Sequence, residues 1–198
     1  MMNKLENHYR KLLKLQLENE IGLPALKADS IANLYKLEIL NKGDFIVKED
    51  GFANKIIFLH QGYIRCFVAN SDKEITHWVY WKDRWVTDFP SFKKFRVSPW
   101  SFQALTDCVI HSLTYSDYLK IKDLMPTWDN FENKLLFKLF MALEHRIFTF
   151  ISMNATERYL YLHNAHPNIF NEIPLIYLSS LLNMTPETLS RIRRKMIS

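Results

Sequence analysis

A chain of 198 residues suits one large domain or two small ones. At 48% hydrophobic, with 14 Phe, 9 Tyr and 5 Trp, it can build a packed core, which excludes an intrinsically disordered protein. The formal net charge is +5, a balance that favours a polyanionic partner where the charge is concentrated. Cys66 and Cys108 form no CxxC pair, so neither a structural disulfide nor a cysteine-ligated cluster is supported, and a reducing cytoplasm fits. No run approaches the ~20 apolar residues of a membrane span, and the start MMNKLENHYRKLLK lacks the apolar centre of a secretory signal. A soluble, cytoplasmic protein without membrane partners is expected.

Residues 3–21 predict an amphipathic helix, with Leu5, Leu12, Leu13 and Leu17 among charged neighbours. A second short helix is expected over 26–34, and both helices read as packing against a neighbouring domain. From Tyr35 the texture changes. Seven short segments (37–40, 45–47, 55–60, 63–68, 75–80, 101–104 and 109–114) are rich in β-branched and aromatic residues. Asn-Lys-Gly, Glu-Asp-Gly, Gln-Gly and Asn-Ser-Asp separate them, and Gly43, Gly51 and Gly62 fall at these breaks. Such spacing predicts a small antiparallel barrel or jelly roll. Trp78, Trp81, Trp85 and Trp100 gather around one segment of it, as barrel core or as an aromatic-lined pocket.

Thr127 is placed to cap a long helix running to about Met153. Phe131, Leu135, Leu139, Ala142, Ile147 and Phe150 give one apolar stripe, and Leu136, Phe140, Leu143, Phe148 and Ile151 widen it. A helix apolar on two sides needs two partners. Those are its own barrel and the same helix of a second subunit, or the surrounding core of a monomer. A shorter helix starts near Asn154, and residues 163–168 break it.

The last 26 residues, IPLIYLSSLLNMTPETLSRIRRKMIS, read as two helices with a tight turn. Leu178, Leu181 and Leu182 mark a buried face; Thr185 is a good N-cap and Pro186 suits the first helical turn. In the second helix Leu189, Ile192 and Met196 lie on one side, with Glu187, Ser190, Arg191 and Arg194 opposite. This stretch holds four basic residues (Arg191, Arg193, Arg194, Lys195) against one acid, Glu187. A helix-turn-helix inserts such a second helix into the major groove, where Arg reads guanine by paired hydrogen bonds and Glu accepts from cytosine. The plainer alternative is a helical hairpin that ends in a solvated basic tail.

The segment TPETLSRIRRK is very similar to the recognition helix of the Crp/Fnr family of bacterial transcription regulators, and PLIYLSSLLNM resembles the preceding helix. Leu40-x-x-Gly43, Gly51 and the run Ile57 to Arg65 resemble the front half of a cyclic-nucleotide-binding domain, so the resemblance spans roughly 35–198. It implies an α+β architecture: a cyclic-nucleotide-binding-like jelly-roll sensor over 1–126, a dimerisation helix over 127–153 and a helix-turn-helix domain over 154–198. The resemblance implies Glu187, Thr188 and Arg191 as DNA-facing residues, with Ser190, Arg193, Arg194 and Lys195 towards phosphates. It also implies Phe131, Leu135, Leu139, Leu143 and Ile147 as the dimer face, and double-stranded DNA, a second copy and RNA polymerase as partners. With the sequence ending at Ser198, the β-hairpin wing common in the family is not expected.

At the effector site the pattern fails. Family members that bind cyclic nucleotides hold the phosphate with a Gly-Glu helix start and a later arginine. Here Thr87-Asp88 stand at the first place and Ser98 at the second, followed by Pro99-Trp100. Asp88 would meet a hydroxyl but repel a phosphate, while Arg96, Lys93 and Lys94 lie nearby. Asp88, Arg96, Ser98 and Trp100 therefore mark a candidate pocket for an unidentified small molecule other than a cyclic nucleotide, or for none. Catalysis finds little support. His60, His77, His111 and His145 are scattered singly, and no GxSxG, Walker loop or GxGxxG occurs, so neither an enzyme nor a metal site is expected. The competing function is a small-molecule sensor that acts through a protein partner, its DNA binding blind to sequence.

Overall fold

Short β-branched and aromatic runs between tight turns give a β-roll, and helices before and after it cover its outer surfaces. The computed structural model describes residues 2–71, 73–94 and 96–197. Asp72 of the Asn-Ser-Asp turn and Ser198 of the C-terminal stretch lie outside them.

Among the described residues eight strands form two antiparallel four-stranded sheets. One runs β1 (Lys36–Leu40), β8 (Cys108–Thr114), β3 (Lys55–Gln61), β6 (Arg84–Val86). The other runs β2 (Phe45–Val47), β7 (Ser101–Ala104), β4 (Ile64–Asn70), β5 (Lys73–Tyr80). β6 is the strand the sequence pattern does not show, since three residues carry no periodicity. In β3 all of Ile56, Ile57, Phe58, Leu59 and His60 are buried, so both of its faces are covered. One cover is α1 (Met2–Gln16), which continues into a π-helical turn, Leu17–Ile21, and places Tyr9 against His60 with ring centroids 4.9 Å apart. Leu13, Leu17 and Ile21 of this element join α2 (Ala25–Ala32) in the roll's core.

Glycine is indispensable at position 62. Its φ is +95°, and a Cβ there would sit 2.5 Å from the Asp107 carbonyl oxygen and 2.6 Å from Cys108 Sγ. In the 48–51 turn the left-handed residue is Asp50 (φ 63°) rather than Gly51.

After the strands, α3 (Phe89–Lys94) and α4 (Tyr115–Leu124) close the roll. The long helix α5 (Trp128–Ser152) follows. Thr127 makes no side-chain cap to it, a departure from the sequence reading: its backbone (φ −87°, ψ 12°) has already left the extended conformation an N-cap adopts. Next come α6 (Ala155–Ala165), α7 (Ile169–Glu172), α8 (Leu175–Leu181) and α9 (Pro186–Ile197). Asn154 and Glu157 form a reciprocal capping box that starts α6. Tyr159, Leu162, Ile169, Phe170, Leu178, Leu181, Leu182, Leu189 and Ile192 pack into a second core, which the roll joins through Val79 and Leu105. This helical head rests on the outer face of the β4–β5 sheet. There Arg65, only 1% exposed, has its guanidinium 3.7 Å from the Phe67 ring and 3.9 Å from the ring of Tyr177 on α8. It also pairs with Glu74 at 2.7 Å, while Ser180 Oγ accepts the Thr76 N–H at 2.9 Å.

Under α1, His60 Nε2 and His111 Nδ1 are 2.6 Å apart, and both rings are buried. Burial first, then the neighbouring positive groups (His111 and His8 for His60, Arg10 for His111), holds both below the usual imidazole range. Folded, the pair stays neutral, whereas unfolded histidines take up protons below about pH 6.5. The stability they contribute is complete above that pH and is lost as the pH falls towards their lowered values. Urea unfolding should show it, with a slope of up to about 1.4 kcal/mol per pH unit for each histidine below about pH 6. Gly62→Ala should cost about 2–4 kcal/mol in the same assay, because positive φ and the clash with Asp107 act together.

Candidate nucleic-acid interface

The turn between α8 and α9 is built residue by residue. Asn183 takes the left-handed conformation (φ 50°), its N–H bonds the Ser180 carbonyl at 3.1 Å, and the Met184 N–H reaches back to Ser179 at 3.0 Å. These are the two bonds of a Schellman C-cap, with Asn in the place glycine usually takes. Thr185 then caps α9, its Oγ1 accepting the Thr188 N–H at 3.2 Å, and Pro186 occupies the first helical position.

Two arginines fix this corner. Arg158 on α6 donates from Nε to the Leu182 carbonyl (2.9 Å), from Nη1 to Met153 (2.7 Å) and from Nη2 to Asn183 (3.3 Å). Arg146 on α5 donates to the Leu181 carbonyl at 3.2 Å, its guanidinium lying 4.8 Å from the Trp78 ring and 4.6 Å from that of Phe150. Burial lowers the Arg146 pKa to about 10, which leaves it charged at neutral pH. Sequence reasoning missed both arginines. The available signals were the Asn154-x-x-Glu157 capping box that places Arg158 in a first helical turn, and a lone Arg146 between aromatic residues.

With the corner fixed, α9 turns Leu189 and Ile192 into the head's core and leaves Glu187, Arg191, Arg194 and Lys195 exposed, with Thr188 and Ser190 half-buried. Arg191 and Arg194 make no ion pair among the described residues. Arg193 differs: its guanidinium lies 5.7 Å from the ring of Phe170, within the head. Met196, expected in the core, is 45% exposed in the last turn of α9, beyond the reach of the packed helices. The backbone N–H at the start of α9 and the Thr185 hydroxyl hold the Glu187 carboxyl below its usual range. An ionised acceptor at a helix N-terminus is stabilised by the helix dipole. It repels phosphate and suits a donor on a base edge. A shallow groove of about 370 Å³ runs between Thr188, Arg191 and Lys195 on α9 and Ala155-Thr156 at the start of α6.

The effector positions are arranged differently. Asp88 is 5% exposed and caps α3, its Oδ1 accepting the Ser91 N–H at 3.2 Å. Ser98 is fully buried and bonded to the backbone of Trp100, Arg96 is exposed, and Trp100 stacks on His77 with centroids 4.6 Å apart. Lys93 is committed elsewhere, at 3.1 Å from Glu132 of α5 and bonded to Tyr118. The tryptophans divide. Trp85 sits against Tyr35 and Phe58 in the roll, whereas Trp78, under Arg146, stacks with Trp81 at 6.5 Å between centroids, and Trp81 also meets His166.

Helix α5 divides its surface. Phe131 and Leu135, expected on a dimer face, pack on the roll's own core, whereas Leu139, Leu143 and Ile147 are exposed at 43%, 45% and 53%. Phe137, Phe140, Phe148 and Ile151 extend this open apolar surface.

No family model matches the sequence, and no curated protein matches it. Solved structures do. The c-di-GMP-responsive global regulator CLP of Xanthomonas campestris superposes with a TM-score of 0.65 at 11% identity, over 87% of this chain and 91% of that one. FixK2 from Bradyrhizobium japonicum gives 0.64 at 16% identity over 82% and 84% of the two chains. The catabolite activator protein of Thermus thermophilus gives 0.55 at 20% identity over 92% and 86%. The shared property is the fold. The chain shares the cyclic-nucleotide-binding-like α+β fold of these structures. Among the described residues no helix is long and apolar enough to cross a membrane, and no three His, Cys, Asp or Glu side chains gather to hold a metal.

The cap can be tested directly. Thr185→Ala should lower urea stability by about 1 kcal/mol, the usual worth of an N-cap hydroxyl.

Proposed function

We propose that the chain is a homodimeric, sequence-specific DNA-binding transcription regulator of the Crp/Fnr type, not an enzyme. The observation that carries this reading is the exposed face of α9, where Glu187, Arg191 and Arg194 stand free of the head's core beyond a rigid turn. In this reading α8, the turn and α9 form a helix-turn-helix, and Glu187, Thr188 and Arg191 read base edges. Ser190, Arg194 and Lys195 contact phosphates, while Arg193 braces α9 on Phe170. The sensor covers 1–126, the dimerisation helix 127–153 and the DNA-binding domain 154–198. The open apolar surface of α5 at Leu139, Leu143 and Ile147 takes the second copy, and RNA polymerase is the further partner of such a regulator.

CLP is described as responsive to c-di-GMP. Here Asp88 occupies the start of α3 with a carboxylate and Ser98 offers no cation, which speaks against a cyclic nucleotide held in the roll. A small effector of another kind, if one acts, binds elsewhere or replaces these contacts.

Sequencing of genomic fragments retained by the purified, ligand-free protein at near-physiological salt tests the proposal. A symmetric motif with half-sites about one helical turn, ~34 Å, apart is the expected result. Sequence-blind retention that vanishes with salt would overturn it. Arg191→Ala should lower specific affinity by about 1–3 kcal/mol and relax the preference at one base pair. Arg194→Ala should weaken binding evenly across sequences and reduce the salt slope by about 1. Titrations with fluorescent operator duplexes at several salt concentrations separate the two effects.

A further inference from the structure

Helix α5 carries two surfaces at its C-terminal end, and Arg146 belongs to the inner one. Phe140, Leu143, Ile147 and Ile151 face outwards at 61%, 45%, 53% and 80% exposure. On the other side, Arg146, Thr149, Phe150 and Met153 are buried or half-buried, spaced as a single helix face. This second face carries the head. The Arg146 guanidinium lies 4.6 Å from an aromatic ring of α5 (Phe150) and 4.8 Å from one of the roll (Trp78), and it donates to the last carbonyl of α8, two residues before the left-handed Asn183.

We propose that Arg146 is a positioning residue that sets the distance and rotation between the two reading helices of the dimer, and so the half-site spacing the protein accepts. The inference rests on the DNA-binding, α5-paired dimer proposed above. A guanidinium packed against two rings has few orientations open to its planar fork, so the carbonyl it binds is restrained as well. The held group is Leu181, at the base of the turn. A small rotation there moves the far end of α9 more than it moves Leu181 itself. DNA is unforgiving on this axis: one added base pair shifts a half-site by about 3.4 Å and turns it by roughly a tenth of a revolution. Arg146 touches neither the α9 face nor the groove beside Thr156, so its loss leaves the chemistry of base reading intact.

The test is selection from a DNA library in which the motif retained by the wild-type protein is rebuilt with its half-sites at a series of spacings. The wild-type protein should favour one spacing over its neighbours by about tenfold. Arg146→Gln should retain the same half-site sequence but spread across several spacings, with less than about threefold discrimination. Arg146→Lys keeps the charge and the stem but loses the planar fork, so it should also broaden the spacing, and it carries the test if Arg146→Gln fails to fold. A variant that binds more weakly yet keeps the wild-type spacing would overturn the proposal, since Arg146 would then be packing alone. If the wild-type protein selects no paired half-sites at all, the dimeric DNA-binding reading fails and this inference fails with it. Paired half-sites that the wild-type protein accepts at every spacing would refute the inference alone.

Discussion

The C-terminal end of α8 presents carbonyl oxygens that no helical N–H can reach, and the arrangement of the head follows from how they are satisfied. Two backbone donors close the Schellman turn, and two arginines from different helices supply the rest. Each arginine is anchored elsewhere, Arg158 at the end of α5 through Met153 and Arg146 between two aromatic rings. Hydrogen bonds from a charged donor to a neutral carbonyl are worth more than neutral ones, and their geometry is stricter. A turn of three residues thereby gains the rigidity of the three helices around it. The exposed face of α9 follows directly from that rigidity, because Leu189 and Ile192 have only one core to enter.

The roll contributes a platform more than a pocket. Arg65 on its outer sheet face is sealed under Tyr177, and the Thr76 N–H, an otherwise open edge donor of β5, is satisfied by Ser180. Within the roll, the short helix α3 is capped by Asp88 and tied to α5 through Lys93 and Glu132. The Ser91 N–H near the start of α3 is thereby met by the chain's own carboxylate. Roll, long helix and head are consequently joined by charged side chains that are buried or half-buried at each junction.

Much of this was legible in the sequence, and the limits have physical reasons. The β segments between glycine and asparagine turns, the length of α5 and the cap at Thr185 are local signals that tertiary packing reinforced. β6 escaped notice because three residues cannot show a period. Of the proposed DNA face, Glu187, Arg191 and Arg194 were readable because helical geometry alone decides which side of α9 they occupy. The place of Arg193 near the ring of Phe170 was not, since it depends on a residue 23 positions earlier. The largest omissions were Arg65, Arg146 and Arg158. An arginine in sequence reads as a surface charge, and only the assembled fold supplies the rings and carbonyls that hold it. The tryptophans followed the sequence only in part: Trp78 and Trp81 do stack, while Trp85 enters the roll's core, because neighbours along a strand alternate faces.

The division of α5 into three surfaces bears on how this protein can change over time. Trp128, Phe131 and Leu135 are committed to the roll, Arg146, Thr149 and Phe150 to the head, and Leu139, Leu143 and Ile147 lie on the open face. Few positions of the helix are left without an obligation, chiefly Asn130, Asn133 and Glu144, all exposed and polar. On the roll-facing and head-facing surfaces drift is therefore restricted by what packs there. A substitution on either disturbs two parts of the molecule together, so compensating changes would have to arise in pairs across elements far apart in the chain.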